Sequence, residues 1–209
     1  MTPLLTTAVG LMFTGIIECQ GKIATIKQDD SQTSMTIESD AFIFDSVSIG
    51  DSISVNGVCL TVSELSTQDF SAVVSKETLD CTTIGLWTAG TRVNLEHSVT
   101  PTTFLGGHIV TGHIDGVAVV TNRYNEGSSI CLTFNVPDHL SYYIATKGSV
   151  SLNGVSLTVN NVTHQTFTVN IIPHTQEVTN FTTLMVGDAV NLEVDVVSRY
   201  CERLLQRQT

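Results

Sequence analysis

Val55-Asn-Gly-Val-Cys-Leu-Thr-Val62 returns as Leu152-Asn-Gly-Val-Ser-Leu-Thr-Val159, 97 residues further along the chain. In both stretches an Asn-Gly pair separates two segments of alternating apolar residues. Because asparagine and glycine both tolerate positive φ, this pair favours the tight turn of a β-hairpin. The stretch therefore predicts a hairpin, and its return predicts that the hairpin is built twice.

Further blocks repeat in the same register and extend the duplication over most of the chain. Thr14-Gly15 matches Thr111-Gly112, and Thr78 and Thr82 match Thr175 and Thr179. Near the end of each copy, Gly90 and Val93-Asn-Leu-Glu96 match Gly187 and Val190-Asn-Leu-Glu193. Several blocks at one offset identify a tandem repeat of one structural module.

Each copy is strand-like. Short β-branched runs, separated by turn residues such as Gly50-Asp51 and Asn56-Gly57, cover Lys22–Lys27, Ser34–Glu38, Ser52–Val55, Phe70–Val74 and Arg92–Glu96. About six short strands in a module of this length favour a small closed barrel, because closure removes exposed sheet edges. The fold class is therefore predicted as all-β, with the two copies joined near Ser98–Leu105, where Pro101 interrupts the pattern.

The tail, from Val197 to Arg207, is the one convincing helix. Arg199, Arg203 and Arg207 form a polar face at i, i+4 spacing, and Val197, Tyr200, Leu204 and Leu205 form an apolar one. A helix this short is marginal in water, so it must pack on its own barrel or on a neighbouring subunit. Its place outside the repeat favours the neighbouring subunit.

Composition excludes several classes of function. A formal net charge of −11 argues against duplex nucleic acid and anionic membranes as partners. No apolar run approaches the length of a membrane span, and the first eleven residues lack the features of a secretory signal. The five cysteines are widely spaced without a CxxC pair, which predicts neither a zinc site nor a disulfide framework and favours a reduced, cytoplasmic setting.

The two copies differ at a few positions inside matching blocks. Cys59 stands where the second copy has Ser156, Ile16 where it has His113, and Lys76-Glu77 where it has Pro173-His174. Such differences suit a reaction in which one molecule is the donor and a like molecule the acceptor. The structural interpretation stays open for each: a free cysteine is often a small buried hydrophobe, and Ser156 can bond its own backbone. His108 and His113, both after glycines, are as consistent with a structural role as with a site.

Taken together, these motifs resemble the riboflavin synthase family. The resemblance runs from Met12 to the C-terminal helix and includes Met12-Phe-Thr-Gly-Ile-Ile-Glu18, both Asn-Gly-Val-x-Leu-Thr-Val blocks, Lys76-Glu-Thr-Leu79, Gly106-Gly-His-Ile-Val-Thr-Gly-His-Ile-Asp115, Lys147-Gly148 and Ile172-Pro-His-Thr175. It implies two six-stranded antiparallel Greek-key barrels plus a C-terminal helix that assembles a homotrimer. The implied domains are an extension over 1–11, barrels over 12–100 and 101–196, and the helix over 197–209.

The resemblance also implies the chemistry. Each barrel would bind one 6,7-dimethyl-8-ribityllumazine, and a four-carbon unit would pass between the two molecules to give riboflavin and 5-amino-6-ribitylamino-uracil, without a metal or added cofactor. The acidic 7-methyl group leaves the protein mainly to align two rings and assist a proton transfer. The reacting pair would meet between barrels of adjacent subunits, and lumazine synthase is a candidate partner.

The site residues implied by the resemblance fall into three groups. The reactive region would hold Cys59, His113, Ser156, Thr158 and Asp195, with Phe13 beside the rings. The pocket of the first barrel would comprise Gly15, Ile16, Ile17, Cys59, Leu60, Thr61, Val73, Val74, Ser75, Lys76, Glu77 and Thr78. The pocket of the second barrel would comprise Gly112, His113, Ile114, Lys147, Val155, Ser156, Leu157, Asn170, Ile171, Ile172, Pro173, His174 and Thr175.

Two questions stay open at this point. His113 is preferred for proton transfer, with Ser156 or a water beside the acceptor, but the base is not decided. The family usually begins at the residue matching Met12, so the eleven extra residues put the role of Phe13 in doubt. The competing function is a non-catalytic lumazine- or flavin-binding antenna protein, whose relatives depart at reactive positions. A flavin reductase would need a nucleotide-binding unit with a GxGxxG motif, which this sequence lacks.

Overall fold

The computed structural model describes residues 12–28 and 32–206. The predicted extension over 1–11, residues 29–31 of a predicted turn and the end of the tail, including Arg207, lie outside the described residues. The first copy contains strands β1 (Cys19–Gln28), β2 (Thr33–Glu38), β3 (Ser52–Val55), β4 (Val58–Leu65), β5 (Asp69–Val74) and β6 (Arg92–His97), with helix α1 (Lys76–Cys81) after β5.

The second copy repeats this order of elements. Its strands are β7 (Gly116–Glu126), β8 (Ser129–Asn135), β9 (Ser149–Leu152), β10 (Val155–Val162), β11 (Thr166–Ile171) and β12 (Ala189–Val194). Helix α2 (Asp138–Ser141) follows β8, α3 (Pro173–Val178) follows β11, and α4 (Val196–Leu205) ends the described chain.

Each copy closes into a six-stranded antiparallel barrel. The first, here called the N-barrel, has the strand order β1-β2-β5-β4-β3-β6, and the second, the C-barrel, has the corresponding order β7-β8-β11-β10-β9-β12. The three consecutive strands β3, β4 and β5 pair in sequence and β6 returns to lie beside β3, which is the Greek-key arrangement. The predicted fold class is confirmed.

Alternating burial gives each barrel its own core. Strand β2 buries every second residue, and Phe70 is fully buried in the N-barrel as Phe134 is in the C-barrel. Two residues cross between the cores: Ile17 of the first copy belongs to the C-barrel core, and Ile114 of the second copy packs against the N-barrel core. The segments that precede β1 and β7 are therefore exchanged between the barrels.

The two predicted Asn-Gly turns form and lie back to back between the barrels. Asn56 and Gly57 have φ of 46° and 80°, and their counterparts Asn153 and Gly154 have 45° and 82°. A Cβ on Gly57 would lie 2.6 Å from the backbone nitrogen of Gly154. The turns thus join the barrels at a distance that only glycine permits.

Buried asparagines satisfy the backbone of these turns. Asn94 Nδ2 donates to the carbonyl of Asn153 at 3.0 Å, and Asn191 Nδ2 donates to the carbonyl of Asn56 at 2.9 Å. Both asparagines lie in the Val-Asn-Leu-Glu blocks of the repeat, which explains a polar residue inside an otherwise apolar strand.

The tail helix α4 begins one residue earlier than predicted and every residue in it is at least partly exposed. Arg199 holds it to the C-barrel by an ion pair with Asp115 at 2.7 Å and a hydrogen bond to the carbonyl of His113 at 2.8 Å. Tyr200 and Leu204 on the apolar face remain 69% and 65% exposed. Within the described part of the chain, no helix has the length and hydropathy needed to cross a membrane.

Candidate functional sites in the two barrels

The Thr111-Gly112 turn delivers the second copy's residues to the N-barrel. The carboxylate of Glu193 accepts hydrogen bonds from the Thr111 amide and hydroxyl at 2.7 Å and from the Gly112 amide at 2.9 Å. Held in this way, the Gly112 carbonyl accepts from the amide of Cys59 at 3.0 Å. The turn is therefore tied to β12 of its own copy and to β4 of the other.

The Thr14-Gly15 turn makes the same contacts in the opposite direction. Glu96 accepts from the Thr14 amide and hydroxyl at 2.7 Å and from the Gly15 amide at 3.1 Å. The Gly15 carbonyl then accepts from the amide of Ser156 in the C-barrel at 2.8 Å.

These contacts correct one expectation from the sequence. Gly15–Ile17 lies against the C-barrel and Gly112–Ile114 against the N-barrel, the reverse of the predicted grouping. The repeat register identified both turns but could not say which barrel each one reaches, because the same Thr-Gly pair forms the turn in both copies.

The N-barrel site is a cavity of about 290 Å³. Its lining includes Cys59, Glu77, Thr78, Gly112 and His113. Burial raises the pKa of the half-buried Cys59 thiol, an effect only partly offset by a hydrogen bond with Ser52. Cys59 is accordingly a neutral thiol rather than a thiolate at neutral pH.

The corresponding place in the C-barrel holds a serine–histidine pair. His108 Nδ1 lies 2.7 Å from Ser156 Oγ, and among the described residues its Nε2 has no hydrogen-bond partner. Burial lowers the pKa of His108, and the negative charge of Asp195 only partly offsets this effect by raising it. The imidazole is therefore neutral at neutral pH. A Cβ at Gly107 would lie 2.7 Å from Cβ of Ser156, so the glycine is required for this approach.

Burial of the two anchoring carboxylates has an electrostatic consequence. It raises the pKa of both carboxyls, that of Glu96 to about 7, while the hydrogen bonds donated by the Thr-Gly turns oppose the shift. The charged form of each carboxylate therefore depends on the turn that it holds.

Some of the predicted pocket residues belong to the barrel cores instead. Their side chains are buried among the strands, so only their backbones can face a ligand; they are Leu60, Val74, Val155, Leu157 and Ile171. Phe13 is fully buried and pairs its backbone with Val110, which leaves it no exposed face in the isolated chain.

The remaining predicted residues surround the two sites. Thr61 and Thr158 are exposed on β4 and β10, and Ile16 is 49% exposed. Val73 and Ile172 are exposed at the ends of β5 and β11, ahead of Ser75, which caps α1, and of Pro173, His174 and Thr175 in α3.

Four predicted polar residues have partners or positions outside the N-barrel cavity. Lys76 pairs with Asp80 at 2.8 Å, and Asn170 donates to Glu126 at 2.9 Å. Lys147 lies exposed with φ of 68° in the turn before β9, and Asp195 caps α4 by accepting from the Val197 amide.

The site list drawn from the sequence omits four residues that the structure places at these sites. They are His108, Ser52, Glu96 and Glu193. Gly106-Gly107-His108 was a usable signal, and both glutamates end matched Val-Asn-Leu-Glu blocks. For Ser52 the sequence carries no such signal, since its hydrogen bond with Cys59 runs diagonally between the paired strands β3 and β4.

Comparison with known proteins identifies a protein family that matches this chain. The lumazine binding domain matches residues 14–98 and again residues 111–195. The chain is 45% identical to riboflavin synthase of Photobacterium phosphoreum, over 93% of this chain and 89% of that protein. It is 41% identical to riboflavin synthase of Brucella abortus, over 94% of this chain and 100% of that protein.

Solved structures give a second likeness. LumP complexed with riboflavin is 30% identical, with a TM-score of 0.80, over 88% of this chain and 99% of that chain. LumP complexed with 6,7-dimethyl-8-(1'-D-ribityl) lumazine is 29% identical, with a TM-score of 0.79 over the same shares.

Proposed function

Since the chain belongs to the riboflavin synthase family, we propose that it binds two molecules of 6,7-dimethyl-8-ribityllumazine and transfers a four-carbon unit between them. The products are riboflavin and 5-amino-6-ribitylamino-uracil. The observation that carries this proposal is that both barrels keep a site with one reactive side chain and one histidine, and that the two sites differ. The N-barrel offers Cys59 and His113, and the C-barrel offers Ser156 and His108.

The differences suit two unequal roles for one kind of molecule. His113 is exposed and lines the N-barrel cavity, which supports a role in moving a proton from the 7-methyl group of a bound lumazine. The hydrogen bond between Ser156 and a neutral His108 supports a role for Ser156 in assisting addition at the acceptor ring. The exposed hydroxyls of Thr61 and Thr158 suit contacts to a ribityl chain.

Assembly and location belong to the same proposal. The exposed apolar face of α4 fits a homotrimer in which the N-barrel of one subunit meets the C-barrel of the next, as ring-to-ring contact requires. All five cysteines are free thiols, which suits a reducing cytoplasm. The family resemblance also makes lumazine synthase a candidate partner enzyme.

The competing function is that of a binding protein without turnover. The likeness to LumP favours it, but the chain keeps both sites with their histidines and is more similar to the two synthases above. In the deciding experiment, the purified protein is incubated with the lumazine alone. Riboflavin is followed by absorbance, and the second product, 5-amino-6-ribitylamino-uracil, by chromatography.

We expect one riboflavin for every two lumazines consumed. In Cys59→Ala and His113→Gln, turnover should fall by about 10²–10⁴-fold while lumazine affinity changes much less, because general acid–base groups act in the transition state. The matched control is Cys81→Ala, which alters the other thiol of the same cavity. Tight binding of the lumazine without formation of riboflavin would contradict the proposal and favour the antenna function.

A further inference from the structure

Each barrel's site is completed by a turn whose anchor belongs to the other copy. We infer that Glu193, in the last strand of the second copy, is a positioning residue for the Cys59 site in the N-barrel, and that Glu96 positions the Ser156 site in the C-barrel. The inference deepens the proposed function, since it names residues that act on its two sites through the Thr-Gly turns.

The first step is the bonding of Glu193. One oxygen accepts two hydrogen bonds from Thr111 and the other accepts one from Gly112. A buried carboxylate is costly unless donors compensate it, and an apolar residue here would leave two backbone amides without partners. Glu193 is 1% exposed, so its carboxylate is shielded from bulk water and depends on these donors.

The second step connects this carboxylate to the reactive strand. A Cβ at Gly112 would lie 2.5 Å from Cβ of Cys59, so the turn sits directly on the thiol-bearing residue. His113 follows in the chain and lines the cavity together with Cys59. A displacement of the turn therefore moves His113 and uncovers Cys59 at once.

The third step is the mirror arrangement. Glu96 is 3% exposed and holds Thr14-Gly15, and a Cβ at Gly15 would lie 2.6 Å from Cβ of Ser156. The exchange of these segments between the barrels is also stabilised by Ile17, which lies in the C-barrel core, and by Ile114, which packs against the N-barrel core. Each carboxylate thus acts on the site of the opposite barrel.

The test compares Glu193→Gln with Glu96→Gln. A glutamine keeps the size but places an NH₂ group opposite an amide N–H, so one of the three hydrogen bonds is lost. The first readout is the rate at which Cys59 reacts with iodoacetamide in the ligand-free full-length protein, measured by peptide mass spectrometry. The same measurement on a Ser156→Cys background reports on the C-barrel site.

We expect a crossed result. Glu193→Gln should speed alkylation of Cys59 about tenfold and leave the thiol introduced at position 156 within about twofold of its parent, while Glu96→Gln should do the reverse. Bound riboflavin should protect Cys59 less in Glu193→Gln than in Glu96→Gln. A purely structural role would change both thiols together, and that outcome, or an effect confined to the mutated copy, overturns the inference.

A second pair of variants covers the case in which a glutamine variant does not fold. Thr111→Val and Thr14→Val each remove one hydroxyl bond to the glutamate, and the same crossed pattern is expected with smaller amplitude. Absence of any change in both pairs overturns the inference. Because alkylation in the ligand-free protein needs no turnover, these outcomes are separate from the failure of riboflavin formation, which bears on the proposed function alone.

Discussion

Gly57 gives the sharpest test of how the two barrels are joined. Its φ of 80° is strained for any residue with a side chain, and a Cβ there would lie 2.6 Å from the backbone nitrogen of Gly154. Gly90 is the matched control: its φ is 90°, but a Cβ at Gly90 would have no described atom within 4 Å. Comparing the alanine variants therefore separates backbone strain from the contact between barrels.

The magnitudes follow from these two terms. Left-handed backbone costs a non-glycine residue about 1–2 kcal/mol, which is the whole effect expected for Gly90→Ala. Overpacking against a rigid backbone adds about 1–3 kcal/mol in Gly57→Ala, because the barrels must part. For a protein of this size, 1 kcal/mol shifts Tm by about 2–4 °C. We expect a fall of about 4–5 °C for Gly90→Ala and about 10 °C for Gly57→Ala.

The assay is calorimetric unfolding at a fixed protein concentration, because association makes Tm depend on concentration. Gly154→Ala, whose Cβ would lie 2.8 Å from the nitrogen of Gly57, should lose about as much as Gly57→Ala. Equal Tm values for Gly57→Ala and Gly90→Ala would refute the reasoning, since the turns would then separate without cost.

Two further predictions concern charge and assembly. Burial disfavours the charged forms of His97 and Glu18, but their mutual hydrogen bond at 2.8 Å raises the pKa of His97 above 6.5 and lowers that of Glu18 below 4.5. The His97–Glu18 pair therefore contributes its full stabilisation between about pH 4.5 and 6.5. This contribution is lost at higher pH as His97 deprotonates and at lower pH as Glu18 is protonated. It should be missing in His97→Gln. A urea midpoint that varies with pH equally in both proteins would contradict this. Leu204→Ser, on the exposed face of α4, should change monomer stability by less than about 0.5 kcal/mol but, if the proposed trimer forms through this face, reduce the mass found by light scattering. An unchanged mass would show that this face does not join subunits.

The repeat and the barrel class could be predicted because their signals are local. Asn56-Gly57 specifies its turn through the backbone freedom of its own two residues, and alternation in β2 marks its buried face without reference to distant contacts. The offset of 97 residues is likewise a property of the sequence alone. These features, with the tail helix, determined the fold class from the chain itself.

The composition of each site was decided only by the tertiary structure. Thr14-Gly15 and Thr111-Gly112 have matching sequences, so neither carries information about which barrel it will complete. The path of the chain between the barrels places each turn against the other copy, and it brings His108 to Ser156, 48 residues away. Contacts of that kind depend on how two folded barrels dock, and local residue preferences do not encode the docking.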